Sequence, residues 1–312
     1  DGCNFNCFFC HNEGQGYVTK STGNMSISEI TKLIEIAVRC GVRSIKLTGG
    51  EPLIYRYQNH DIVDLVANIA NLKNHWHDFS LSLITNGYLL TQYSEKLKEA
   101  GLDRINISLP TLNQSTFHKY IRQAETGSVR RSIEGISAAV SAGLSPVKVN
   151  TVIFYSSETR QGNIAEIPAI VQTCKSIKVD ELRLYTLLWH PGFPNFKEFY
   201  QYWDSEVFSL MNFLDCEISG DVKGKLLSSL RLFAKDWSSL VYPTARMVIN
   251  CDGLPVAFET MMLGRFGQDS PCVDCEHPNL CQEGPYAIRA STQGEVRGCL
   301  LSKTSINFLN AI

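Results

Sequence analysis

Between Ser28 and about Leu184, amphipathic stretches long enough for helices alternate with short runs rich in β-branched and apolar residues. Strands separated by a helix-length crossover pair in parallel, because a hairpin turn leaves no room for the residues between them. The alternation therefore predicts repeated βα units around a parallel sheet. The expected order begins with a helix at Ile30 to Arg39, a strand at Ser44 to Leu47, a helix at Ile62 to Leu72 and a strand at Leu81 to Ile84. A helix near Tyr93 to Ala100, a strand at Arg104 to Ser108, a helix at Ser128 to Ala142 and a strand at Val147 to Phe154 follow. A helix at Ile167 to Ser176 leads to a last strand at Glu181 to Leu187. Glycine follows three of these helices, in Cys40-Gly41, Ala100-Gly101 and Ala142-Gly143, as expected where a helix ends in a left-handed residue.

Five strands are legible in this way, and a sixth would lie just upstream of Cys3. The expected fold is α/β, a partial (β/α)6 TIM-like barrel whose functional loops sit at the strand C-termini. Past Tyr185 the rhythm changes to an aromatic-rich helical stretch, Phe196 to Leu214, and from Met247 to a hairpin-like segment containing Gly and Cys. A boundary near residue 190 would divide a barrel, 1–190, from a C-terminal extension, 191–312. No run of about 18 apolar residues occurs, so no membrane span is expected. With 29 Lys and Arg against 31 Asp and Glu there is no overall basic footprint, so no nucleic-acid partner is expected.

Seven of the 11 cysteines fall in two tight groups near the two ends. Clustered thiols in a chain of 312 residues point to metal sites in a reducing cytoplasm rather than to a disulfide framework. No signal-peptide pattern opens the sequence.

Asp1 to Gly14 reads DGCNFNCFFCHNEG, placing Cys3, Cys7 and Cys10 at C-x3-C-x2-C on one loop. Three thiolates on a four-iron cluster leave one iron open to an outside ligand. The alternative is a zinc knuckle with His11 as fourth ligand, which the adjacency of His11 to Cys10 makes awkward. Thr48 to Pro52 reads TGGEP directly after the strand at Ser44 to Leu47, where two glycines allow the backbone a close approach to a ligand. A second group, Cys272, Cys275, Cys281 and Cys299, forms C-x2-C-x5-C-x17-C. Its ligand count fits a second [4Fe-4S] cluster or a four-cysteine zinc site, and spacing alone does not choose between them.

The cysteine loop, TGGEP and the βα repeats together resemble the radical SAM superfamily. The resemblance implies that S-adenosyl-L-methionine (SAM) chelates the open iron and is reductively cleaved to a 5′-deoxyadenosyl radical that abstracts hydrogen from substrate. It also implies cofactor-binding roles for Phe9 beside the adenine, for Gly49, Gly50, Glu51 and Pro52 around the SAM amino group, and for Thr85 in ITNG and Ser108 in INISLP. The bland readings are a core aromatic, an Asn-Gly turn and a strand end.

Within that superfamily the segments KLTGGEPL, RINISLPTLN, VKVNTVI and LRLY are similar to the MoaA family, which cyclises GTP in molybdenum cofactor biosynthesis. That similarity makes Lys46, Lys148, Arg183 and Arg289 candidates to bind a nucleotide or related small anionic substrate, and implies a reductant such as flavodoxin or ferredoxin. Two departures stand out. Ala287 stands where the family's first of two paired arginines would be, and an inserted EHPNLCQEGP adds Cys281 to the second group. A fourth thiolate would close the auxiliary cluster and make it structural or electron-transferring, which favours a diverged paralogue. The alternatives are a peptide maturase of the twitch or SPASM type, and a non-enzymatic zinc or iron-sulfur protein. Cys40 and Cys174 are expected to be buried helix thiols.

Overall fold

The first helix starts earlier than the apolar period alone predicts, and Ser26 is the reason. Its hydroxyl accepts the Glu29 N–H while the Glu29 carboxylate accepts the Ser26 N–H at 2.7 Å, a reciprocal cap that opens α1 (Ile27–Arg39). The computed structural model describes residues 2–10, 25–121, 127–156, 161–185, 245–260, 287–298 and 305–310.

The βα alternation continues as β1 (Ser44–Leu47), α2 (Ile62–Asn71), β2 (Ser80–Thr85), α3 (Leu90–Glu99) and β3 (Arg104–Ser108). It is completed by α4 (Val129–Ser141), β4 (Val147–Val152), α5 (Ile167–Ile177) and β5 (Glu181–Tyr185). These five strands are parallel and lie in sequence order. The three helix-terminal glycines, Gly41, Gly101 and Gly143, have φ of +99°, +94° and +70°. Two further strands join the same sheet from far along the chain. β6 (Ala245–Cys251) and β7 (Leu254–Thr260) form an antiparallel hairpin, and β7 pairs in parallel with β5. The central sheet is thus mostly parallel, with seven strands in the order β1-β2-β3-β4-β5-β7-β6. The hairpin expected from Met247 onward extends this sheet, while the stretch around residue 190 and Phe196 to Leu214 lie outside the described residues. A separate antiparallel sheet is built from β8 (Arg289–Ala290), β9 (Glu295–Arg297) and β10 (Ile306–Asn307).

Side chains alternate across a strand, and here the two faces differ sharply in chemistry. Ile45, Leu81, Leu83, Ile105, Val149 and Leu182 are buried in the core shared with the helices. The alternate positions form polar rows in register across the sheet: Lys46, Ser82 and Arg104; Asn106, Lys148 and Glu181; Ser108, Asn150 and Arg183. A parallel sheet buried on both sides carries apolar residues on both faces, so this polar face is built to meet a polar ligand or water. Among the described residues no helix is long and apolar enough to cross a membrane.

β4 ends at Val152 rather than at the expected Phe154 because a buried side chain captures the next backbone groups. Asn163 accepts the Phe154 N–H at 2.9 Å and donates to the carbonyls of Pro110 and Val152, both at 2.7 Å. It thereby ties the loop after β3 to the end of β4. Asn163→Ala strands two carbonyls and one N–H in the interior, each costing about 1–3 kcal/mol. The expected result is a loss of about 3 kcal/mol or more, read as a lowered midpoint in thermal unfolding; an unchanged midpoint would refute the staple.

Candidate functional site

The TGGEP segment is shaped by its own residues. Gly49 adopts φ +124°, which a side chain rarely allows, and Glu51 caps the short 3₁₀ turn Pro52–Ile54 by accepting the Leu53 N–H at 3.0 Å. The Glu51 carboxylate also accepts the Thr85 hydroxyl at 2.6 Å and the Asn86 N–H at 2.8 Å. Burial raises this carboxyl above its ordinary range despite those three donors. Glu51 and Thr85, both expected at the cofactor, are therefore bonded to each other and lock TGGEP to ITNG.

The cysteine loop is fastened to both segments. The Glu51 N–H donates to the Gly2 carbonyl at 2.8 Å, and the Asn86 side-chain amide donates to Asn4 Oδ1 at 2.7 Å. Phe5 is buried edge-on against Tyr88 and Phe117, with centroids 5.6 and 5.3 Å apart. On the other side the N–H groups of Asn6 and Phe8 donate to the carbonyls of Ile121 and Tyr120 at 3.0 and 2.9 Å. Those carbonyls belong to a π-helical turn, Phe117–Ile121, a geometry that recurs at functional sites. Phe9 stands half-buried beside Phe8 and Phe154, which close an aromatic wall with Tyr120 at centroid distances from 4.9 to 6.1 Å. The sequence signalled neither this turn nor the roles of Asn4, Tyr120 and Phe154.

Cys3, Cys7 and Cys10 sense one another electrostatically. The Cys3 residue is exposed, yet desolvation of its thiol, with Glu51 and Cys10 nearby, pushes it up to about 11. Burial and the charges of Cys10 and Cys3 hold Cys7 well above the ordinary thiol range. Among the described residues no three His, Cys, Asp or Glu side chains close around a single metal-ion position. Three thiols on one loop, close enough to raise one another, are a donor set that would hold an iron-sulfur cluster, and loading would displace their protons. The donor set therefore fits the expected cluster. Cys272, Cys275, Cys281 and Cys299 lie outside the described residues.

On the polar face, Lys148 and Arg183 meet at one carboxylate. Lys148 Nζ lies 2.6 Å from Glu181 Oε2 and Arg183 Nε 2.8 Å from Glu181 Oε1. Desolvation would raise Glu181, but the hydrogen bonds and charges of Lys148 and Arg183 outweigh it and hold the carboxyl below its ordinary range. Ser108, Asn150 and Arg183 stand level with one another; Ser108 closes its strand, while Asn150 and Arg183 lie within theirs. Lys46 is exposed on β1, and Arg289 sits on β8 opposite Arg297, outside the central sheet. Cys174 is buried, and burial pushes its thiol up to about 12, whereas Cys40 is exposed. The expectation for Cys40 fails because the residue falls at the C-cap, past the last turn of α1.

A loop of three thiols clamped to TGGEP and ITNG at the ends of parallel strands defines an iron-sulfur class of α/β protein. Residues 1–161 match the family model described as the radical SAM superfamily, and the chain belongs to that superfamily. Membership implies a [4Fe-4S] cluster and SAM. A protein of Methanococcus aeolicus named probable GTP 3′,8-cyclase is 37% identical over 183 residues, 57% of this chain and 58% of that one. A protein of the same name from Methanothermobacter thermautotrophicus is 44% identical over 151 residues, 48% of this chain and 45% of that one. The chain thus spans about half the length of the curated relatives it matches. Streptococcus suis SuiB, solved bound to S-adenosylmethionine, shares the fold over 99% of this chain and 61% of its own, with a TM-score of 0.60 at 16% identity.

Proposed function

We propose that this chain is a MoaA-like radical SAM enzyme that acts on a nucleotide or a related polar anion held against the polar face of the sheet. The observation that carries the reading is the register of Ser108, Asn150 and Arg183 on one polar face, with Ser108 closing β3 beside the strand ends that carry TGGEP and ITNG. In it, Cys3, Cys7 and Cys10 hold a [4Fe-4S] cluster that supplies the electron for reductive cleavage of SAM. Gly49, Gly50, Glu51 and Pro52 receive the amino end of SAM, Phe9 flanks its adenine, and Thr85 and Ser108 line its course. Lys148 and Arg183 hold the substrate anion, with Lys46 and Arg289 as further cations. Cys272, Cys275, Cys281 and Cys299 hold an auxiliary [4Fe-4S] cluster closed by four thiolates, and a flavodoxin or ferredoxin serves as reductant.

Anaerobically reconstituted protein should carry about eight irons per chain. Incubated with SAM, dithionite and GTP, it should form 5′-deoxyadenosine in step with a cyclised nucleotide detected by mass spectrometry. Cys281 supports a second reading, a peptide maturase with a fully thiolate-ligated auxiliary cluster. Deoxyadenosine formation that no nucleotide stimulates, with radical modification of a peptide, would select it.

A further inference from the structure

Two cations side by side on a half-buried face repel each other and lose hydration, so a folded protein must neutralise them when no ligand is present. Glu181 does this for Lys148 and Arg183 at once, with one carboxylate oxygen on each, at 2.6 and 2.8 Å. The three side chains are 18%, 10% and 17% exposed for Lys148, Glu181 and Arg183, enough for a ligand to reach them and too little for water to screen them fully. An ammonium carries three N–H donors and a guanidinium five, so each cation can serve more than one acceptor. One guanidinium donor already reaches the Tyr185 hydroxyl at 3.4 Å.

We propose that Glu181 is a resident stand-in for the substrate's anionic group, bridging Lys148 and Arg183 before an anion binds and tempering their affinity once one arrives. An anion seated on these cations must share them with Glu181 and stand near a like charge. The carboxylate therefore holds the ligand-free face together and lowers the affinity for polyanions. This role differs from anchoring, since an anchor's removal would weaken binding while a competitor's removal tightens it. The inference rests on the reading of Lys148 and Arg183 as the anion-binding pair, and the test separates the two.

The full chain, reconstituted anaerobically, is titrated calorimetrically with inorganic tripolyphosphate and with GTP, as wild type, Glu181→Gln and Lys148→Met. Glu181→Gln should bind tripolyphosphate about tenfold more tightly, while its ligand-free midpoint of thermal unfolding falls and rises further on addition of ligand than that of wild type. Lys148→Met should weaken binding by about tenfold or more. Equal or weaker binding by Glu181→Gln, with Lys148→Met still impaired, overturns the stand-in and leaves the anion site intact. Absence of binding by the wild type, or indifference to Lys148→Met, overturns the anion site and the stand-in with it. Should Glu181→Gln not fold, Glu181→Asp replaces it. Its shorter side chain cannot span both cations, so binding should tighten to a lesser degree, and unchanged or weaker binding overturns the proposal.

Discussion

Cys3→Ala, Cys7→Ala and Cys10→Ala should each yield folded protein that forms no 5′-deoxyadenosine from SAM and carries about four fewer irons per chain than wild type. The loop these thiols occupy is held by other groups: Phe5 in the core, the Asn4 to Asn86 hydrogen bond, the Gly2 carbonyl on the Glu51 N–H, and the Tyr120 and Ile121 carbonyls. Replacing a thiol therefore leaves these fixings in place. For Cys3, whose Sγ accepts the Phe5 N–H at 3.3 Å, the loss of stability of the metal-free protein should be about 1 kcal/mol. Iron analysis, deoxyadenosine chromatography and thermal unfolding together check this. A variant that kept its full iron content and turnover would remove its cysteine from the ligand set.

Gly135→Ala should be strongly destabilising even though it puts a better helix former into α4. A methyl group there would meet the Gly87 carbonyl oxygen at 2.0 Å and the Leu90 Cβ at 3.1 Å. The helix gains about 1 kcal/mol from alanine in place of glycine. Overpacking costs about 1–3 kcal/mol where side chains can rotate away, and more where, as here, the obstacle is backbone. The net loss should be about 3 kcal/mol or more, several degrees of unfolding midpoint. It should also reach the site, because Gly87 follows Asn86, which bonds both Glu51 and Asn4. Cluster retention after gel filtration should fall along with the midpoint. An unchanged midpoint would mean that α4 slides away from the turn without cost.

What local sequence encodes is period and short-range geometry, and these parts of the protein were legible. The alternation from Ser28 to Leu184 placed α1 to α5 and β1 to β5 within a few residues, because each element's pattern is set by neighbours three or four positions away in a helix and two in a strand. The cysteine loop and TGGEP were visible for the same reason: each is one short segment whose spacing suits one chemistry. Edge errors came from side chains acting at the ends, Ser26 with Glu29 at the start of α1 and Asn163 at the end of β4.

Only the tertiary structure brought β7 alongside β5 across an interval that no local pattern spans, and so made Leu254–Thr260 part of the central sheet. It alone paired Glu51 with Thr85 and Asn86, and set the π-helical turn at Phe117–Ile121 under the cysteine loop. It likewise put one carboxylate between Lys148 and Arg183. Such contacts depend on strand register and on which face each side chain takes, and register is decided when the whole apolar face packs against the helices. The residue types able to do the chemistry were therefore written in the sequence, while their partners were chosen by packing.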